Sequence, residues 1–168
     1  MSGLAHYSPE HVTVLLGGVY PLDGFVDGSF VSIQKDSPNF TTKVTADGAV
    51  SRVRHASNQY TVTITLASFS NTNKVLSTLA ELDYRAFNSR LPLMIKDSKG
   101  STTFFSPESW VNAPTSVEFG TDITDRVWTF SCSDAILIAG GNEGGLLDSI
   151  SAEMASAGFL GLDALGVI

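Results

Sequence analysis

Cysteine is nearly absent from this sequence, in which Cys132 is the single thiol among 168 residues. One thiol cannot form an internal disulfide, so the fold must be stabilised by packing or by assembly with other chains. Within the run RVWTFSCSD, Cys132 alternates with aromatic residues, a spacing that predicts a small buried apolar side chain. The histidines His6, His11 and His55 are too scattered to form a set of zinc ligands, and we predict no metal site.

Basic residues are also scarce. Ten Lys and Arg stand against seventeen Asp and Glu, a formal net charge of −7, and only 16% of the residues are charged. An acidic chain does not bind nucleic acid by neutralising phosphates. So few charges on a chain of this size leave apolar surface to be covered, which favours partners over a lone monomer. Arg126 is the last basic residue, so the remainder of the chain is acidic without compensation.

Motifs for catalysis, cofactor binding and membrane insertion are missing as well. No Gly-x-Ser-x-Gly elbow occurs, and the glycine-rich runs GGVYPLDG and AGGNEGG lack the features of phosphate or dinucleotide loops. No pair of carboxylates is singled out by its spacing. The apolar runs are too short to span a membrane, and the first residues lack the pattern of a signal peptide. We therefore expect a non-enzymatic protein without cofactor and without a membrane segment.

What the sequence does contain is alternation of apolar and polar residues. In YTVTITLA, residues 60–67, four apolar side chains alternate with threonines, which predicts a strand with one buried face. After a polar turn, Val75, Leu76, Leu79 and Leu82 recur at helical spacing and predict a helix over about 72–86.

Other alternating runs predict a total of seven or eight strands in hairpin order. HVTVLLGGVY is a first strand bent by Gly17-Gly18, and SFVSIQK is a second. LPLMIKD and STTFFS form a hairpin, PESWVNAP is a loop or edge piece between prolines, and TSVEFG and RVWTFSCS are two more strands. DAILIAGG either extends the last strand or fills the core. The predicted fold class is mainly β, an antiparallel sandwich or barrel with one flanking helix.

Two segments differ from this β domain, which we place at residues 1–143. The polar segment 36–57, with Pro38 and an Asp47-Gly48 turn, predicts a protruding hairpin or long loop. Residues 144–168 form an apolar C-terminal extension, in which Leu146, Leu147, Ile150 and Met154 suggest a helix docked on its own domain or on a neighbouring copy.

Basic residues concentrate in the protruding segment. Arg52 and Arg54 are two residues apart on one face of a short strand, and Lys35 and Lys43 add to them. This is either a solvated face or a basic surface that meets an acidic surface on the next copy. In the second case, the base-free C-terminal part is the candidate acceptor.

The remaining candidate residues are apolar. Trp110 is an interface anchor, a locally packed ring or a stacking platform for a sugar. The leucines of the predicted helix cover the sheet and a neighbouring subunit. The candidate inter-subunit contacts are Lys43, Arg52, Arg54, Leu76, Leu79 and Trp110.

Taken in order, these pieces resemble the tail tube proteins of contractile-tailed bacteriophages over residues 10–140. The matching pieces are the Asp-Gly turn at 46–48, the Thr/Val strand at 60–66, the turn at 70–73 and the short Leu-rich helix at 75–82. A hairpin and a Pro-flanked stretch then lead into a last alternating strand, as in that family. From about Gly144 the chain departs from the short family ending, so the resemblance gives the extension no role.

The resemblance implies two packed antiparallel sheets and hexameric rings that stack into the inner tube of a contractile tail. The tube would carry DNA through its lumen without binding it specifically. Implied partners are other copies and the tail sheath, tape-measure and baseplate proteins, in a virion assembled in the bacterial host cytoplasm. An acidic wall suits this role, since it repels phosphate. Alternatives are a type VI secretion-like tube, a tail terminator ring, or a carbohydrate-binding β-sandwich in which Trp110 stacks on sugar.

Overall fold

The computed structural model describes residues 9–114 and 116–141. Within these residues the chain forms a short 3₁₀ turn at Pro9–His11, ten strands and one α-helix. Their bounds are β1 Val12–Leu16, β2 Tyr20–Pro21, β3 Val31–Lys35, β4 Phe40–Val44, β5 Val50–Arg54, β6 Tyr60–Ala67, α1 Thr72–Ala86, β7 Leu91–Asp97, β8 Thr103–Asn112, β9 Asp125–Ser133 and β10 Ile136–Ile138. The expectations for residues 144–168, and the domain boundary before them, lie outside the described residues.

The main sheet is antiparallel throughout, with strand order β2-β1-β7-β8-β9-β6-β3. Strand β8 has two partners on one side, because its first half pairs with β10 and its second half with β9. The sheet curls over itself: Val14 of β1 and Ile64 of β6, which are not on neighbouring strands, belong to one buried cluster. The predicted fold class, mainly β and antiparallel with one helix, is confirmed.

Strand β6 is the centre of the core. Its Tyr60, Val62, Ile64 and Leu66 are buried, while the three threonines between them lie half-buried on the opposite face. Burying an aliphatic side chain of this size contributes roughly 1.5–3 kcal/mol. The alternation in the sequence therefore marks a strand with one face in the core, as predicted.

Helix α1 covers one opening of the curled sheet and spans the predicted residues. Leu76 and Ala80 are buried beneath it. Asn73, also buried, donates from Nδ2 to the carbonyl of Ala67 at 2.8 Å and accepts from Trp128 Nε1 at 2.9 Å. The helix ends at Ala86. Its C-cap residue Phe87 takes a positive φ of 55°, and the Phe87 N–H donates to the Asp83 carbonyl.

Three local predictions are wrong. Gly17 and Gly18, both at positive φ, reverse the chain into the β1–β2 hairpin, where the sequence suggested only a bend. PESWVN belongs to β8, because a bulge between Leu91 and Leu93 of β7 accommodates Pro107, which has no N–H for the ladder. Residues 116–120 of TSVEFG form no strand; they are exposed and pair with no neighbouring strand in the described structure.

Candidate functional site: the assembly surfaces

The β4–β5 hairpin stands apart from the rest of the fold. It forms its own two-stranded sheet, in which every residue of both strands is exposed. At its tip, Thr45 N donates to Ala49 O at 2.9 Å, and Gly48 takes a φ of 86°. The Thr45 hydroxyl and the Ala49 N–H both donate to the Asp47 carboxylate, which lowers the pKa of Asp47. The segment from 36 to 57 thus carries a protruding hairpin with a locally bonded turn.

The two faces of this hairpin differ. Register pairs Phe40 with Arg54 and Thr42 with Arg52, so these four side chains share one face. The guanidinium of Arg52 lies 4.1 Å from the centre of the Phe40 ring, a cation–π contact. Lys43 pairs with Ser51 and therefore lies on the opposite face. The sequence correctly placed Arg52 and Arg54 together, and the register separates Lys43 from them.

A polar cluster fixes the base of the hairpin to the start of β6. Lys35 Nζ donates to Asn58 Oδ1 at 2.7 Å and lies 5.1 Å from the centre of the Tyr60 ring. The Thr61 hydroxyl donates to Asp36 at 2.8 Å, and the Asp36 N–H donates to Gln59 O at 3.0 Å. The hairpin therefore projects from a defined end of β6.

The opposite end of β6 carries an apolar and acidic surface, the end patch, which sequence reasoning missed. Its exposed rings and aliphatic side chain belong to Phe69 (75% exposed), Phe119 (88%) and Ile123 (72%), and its acids are Glu118 and Asp122. A cleft of about 240 Å³ is lined by Phe69, Phe119, Glu118 and Asp122, among others. The available signal is the alternation of acids with apolar residues in SVEFGTDITD, a pattern that predicts a strand and a turn.

Arg126 lies against the end patch. Its guanidinium is 6.0 Å from the centre of the Phe119 ring, and its half-buried side chain opposes Leu66 of β6. Its Nε is buried without a hydrogen-bond partner in the described part of the chain. Arg126 thus supports the aromatic ring of the loop, while the acids of the patch face solvent.

Trp110 lies in a groove between α1 and the end of β8. The groove holds about 730 Å³ and is lined by Trp110 together with Tyr84, Phe87, Asn112 and Pro114, among others. Trp110 is half-buried, whereas Tyr84 and Phe87 are almost fully exposed. In this position the Trp110 ring packs partly on its own chain and leaves the rest accessible. Its contact with a neighbouring subunit or with a sugar stays a prediction.

The two leucines predicted at a subunit contact lie in different places. Leu76 is fully buried in the core of its own chain, so it offers no surface to a neighbour. Leu79 packs half-buried against the same core. The amphipathic pattern marked the face that packs on the sheet, and the outward face of the helix carries Leu82 and Tyr84 instead.

The outward faces of the curled sheet differ in polarity. On the β3-β6-β9 side, register aligns Gln34, Thr61 and Ser131 in one row and Ser32, Thr63 and Thr129 in the next, with no charged side chain in either row. On the β1-β7-β8-β10 side, one row is apolar: Leu15, Met94, Phe105 and Ile136. One side of the molecule therefore carries two rows of hydroxyl and amide side chains, the hydroxyl face, with the Asp36 carboxylate bonded to Thr61 at its edge, and the other side carries an apolar row.

Groups that could support catalysis are not assembled in the described residues. No cluster of three or more His, Cys, Asp or Glu side chains capable of holding a metal occurs there. Cys132 is buried as predicted, and burial raises the pKa of its thiol to about 12. The helix in the described part of the chain is not long and apolar enough to cross a membrane.

Comparison with known proteins gives fold and family. No family model matches the chain. Among solved structures, the fold is similar to the tube-terminating cap of the anti-feeding prophage, with a TM-score of 0.51 and 12% identity over 83% of this chain and 95% of that one. It is also similar to the sheath/tube terminator of the extracellular contractile injection system PVC, with a TM-score of 0.50 and 14% identity over 82% and 100%. At such identities the likeness shows a shared fold.

Sequence similarity goes further. The chain is 31% identical over 144 residues to structural protein ORF10 of Pseudomonas phage KPP10, covering 82% of this chain and 83% of that protein. The chain therefore belongs to the family of this phage structural protein. Its relative is a structural protein of a phage.

Proposed function

We propose that this chain is a ring-forming structural subunit of the tube of a contractile phage tail and a component of the virion. The observation that carries the proposal is the combination of membership in a phage structural family with a fold shared along nearly the full length of two tube terminators. Its assemblies are hexameric rings around a channel, through which DNA passes during genome delivery.

Within that role, two positions are possible, and the fold comparisons favour the end of the tube. The two similar structures are a tube-terminating cap and a sheath/tube terminator, so a terminator ring is the preferred position. The repeated tube subunit is the second candidate, and the turn, strand and helix layout of residues 46–82 supports it. In either position, tail proteins such as sheath, tape-measure and baseplate components are the proposed partners.

The hydroxyl face supports a channel wall. DNA binds strongly where Lys and Arg replace its counterions. Rows of Ser, Thr and Gln side chains without a cation offer no such exchange, so a duplex beside them slides instead of binding. We assign the β3-β6-β9 side to the channel on this ground.

Electron microscopy of the purified chain, alone and mixed with tail proteins of the same phage, tests the proposal. The expected result is six-fold rings with a central channel, or the capping of tubes built by a separate tube protein. A chain that stays monomeric at high concentration, and neither forms rings nor binds tail proteins, would contradict it.

Counting copies per virion separates the two positions. A terminator contributes one ring, whereas a tube subunit contributes many rings along the tail. Quantitative mass spectrometry of purified virions, calibrated with labelled peptides of this chain, gives that count directly. A copy number near that of one ring supports the terminator position, and a number many times larger assigns the chain to the tube itself.

A further inference from the structure

We propose that the β4–β5 hairpin of one copy docks on the end patch of a second copy of this chain. The contact brings Phe40, Arg52 and Arg54 of the first copy against Phe119 and Glu118, with their neighbours in the patch, on the second. The inference rests on the proposed assembly role. It names the surfaces that join one subunit to the next.

The hairpin needs a covering surface. An isolated two-stranded hairpin is at best marginally stable in water, since it has no core to pack against. On the face that bears Phe40, this hairpin nevertheless exposes Val44 and Val50 together with part of the Phe40 ring. A surface that buries these side chains stabilises the strands and removes apolar area from water. An apolar partner is therefore the first requirement.

Charge sets the second requirement. The hairpin face that bears Phe40 carries two cations, Arg52 and Arg54, and no acid. Their partner must be acidic as well as apolar, because complementary potentials bring surfaces together and fix their register.

The end patch meets both requirements. Residues 116–125 contain Glu118, Asp122 and Asp125, which outnumber the one adjacent cation, Arg126, three to one. The acids alternate with the exposed side chains of Phe119 and Ile123. The patch thus mixes apolar and acidic groups, whereas the hairpin mixes apolar and basic groups. The acidic acceptor expected in the C-terminal part of the chain thus has a counterpart within the described residues, between 116 and 125.

The positions of the two surfaces require a second copy. The hairpin is fixed beside Tyr60, where β6 begins, and the patch lies beside Ala67, where β6 ends. Eight residues of strand separate these ends by about 25 Å. Two different surfaces at opposite ends give a heterologous contact, which closes into a ring or continues as a stack.

Site-specific cross-linking tests the contact directly. Thr42→Cys places a thiol on the hairpin face that bears Arg52, and Ile123→Cys places one in the patch. The native thiol, Cys132, is buried and does not compete. Each variant is prepared reduced and carries a different tag. On oxidation, the mixture is expected to give a disulfide-linked pair containing both tags, and neither variant alone should give a pair. No mixed product, with rings still visible, would overturn the proposal.

Charge reversal provides an independent test. The pair Arg52→Glu and Arg54→Glu should weaken self-association about tenfold or more, measured by sedimentation, and Glu118→Lys with Asp122→Lys on the same chain should restore it. Lys74→Glu with Lys99→Glu changes net charge equally at exposed sites outside both surfaces and should leave association unchanged. Circular dichroism verifies that each variant is folded.

The outcomes distinguish the contact from the role. If the hairpin reversal leaves rings and stacks intact, or the patch reversal restores nothing, the contact is wrong while the tail role stands. If the wild-type chain forms no assembly alone or with tail proteins, the proposed role fails, and an absent cross-link then removes the contact as well.

Discussion

Strands β5 and β6 follow each other in the chain, yet their side chains lie in opposite environments. VSRVR in β5 has every residue exposed, whereas YTVTITLA in β6 buries all of its alternate apolar residues. The difference is the neighbouring strand: β6 lies between β3 and β9 in a curled sheet, while β5 pairs, within residues 9–114 and 116–141, only with β4. The strict alternation in β6 therefore predicts a strand with one buried face. In β5, Val50 and Val53 lie on opposite faces, so each face mixes apolar and polar groups, and a surface that covers one of them can belong to another molecule.

The largest effect should come from removing a matched ring from each region. Phe130→Ala empties a fully buried site on β9 and should lower the free energy of unfolding by about 3–5 kcal/mol. Phe40→Ala removes a ring from the exposed hairpin and should change the stability of the dissociated chain by less than about 0.5 kcal/mol. Urea unfolding of both variants measures the difference. Equal losses would show that the hairpin packs on its own chain.

A smaller effect should follow from the polar contact that ties α1 to the core. Asn73→Ala leaves Trp128 Nε1 buried without its acceptor and should cost about 1–3 kcal/mol. Asn71→Ala is the matched control, because Asn71 is exposed and makes no side-chain cap bond, so its cost should stay below about 0.5 kcal/mol. Chemical denaturation of both variants measures the loss in the free energy of unfolding. An Asn73→Ala variant with unchanged stability would mean that the indole N–H of Trp128 finds another acceptor.

The sequence predicted the body of the fold well because local pattern and burial agree there. In β6 and α1 the period of the apolar residues selects the strand and the helix, and the same residues fill the core. The wrong predictions lie in segments whose structure depends on pairing with another strand. TSVEFG has a strand-like pattern without a partner strand, and Pro107 is tolerated in β8 only because β7 supplies a bulge.

The candidate surfaces were less predictable for the same reason. Arg52 and Arg54 lie two apart and share a face by strand geometry alone. Whether Lys43 joins them depends on hairpin register, which a long loop does not fix. Leu76 and Leu79 were assigned to a neighbour because periodicity shows that a face is apolar and does not show what covers it. The end patch joins Phe69 to residues some fifty positions away, which no local pattern reveals.

The pH dependence of stability should report on a buried group of the core, the thiol of Cys132. Burial raises the pKa of Cys132 to about 12 from 9.0, so above pH 9 the unfolded chain loses a proton that the folded chain retains. Stability then falls as pH rises from about 9 to 12. Between pH 8 and pH 10 this thiol should cost about 1 kcal/mol. The measurement is the difference between wild type and Cys132→Ala in urea unfolding, since other titrating groups cancel. No difference in slope would show that the thiol is solvated when folded.

The smallest effect belongs to the exposed hairpin tip. The hydroxyl of Thr45 and the N–H of Ala49 lower the pKa of Asp47, so its carboxylate stabilises the turn above the pKa of the unfolded chain. This contribution should be lost as pH falls through the depressed pKa of the folded state. An NMR titration should give Asp47 a midpoint below 3.8, and Thr45→Val should move it upward. An unshifted midpoint in wild type would show that the turn does not persist in solution.

The central claim is that this chain builds rings of a contractile tail. Cryo-electron microscopy of the purified chain at high concentration tests it most directly, because ring symmetry, channel and subunit orientation appear in one map. The account predicts six-fold rings whose channel is lined by the hydroxyl face of β3, β6 and β9. A monomer without rings, alone or with tail proteins, or rings that turn this face outward, would contradict it.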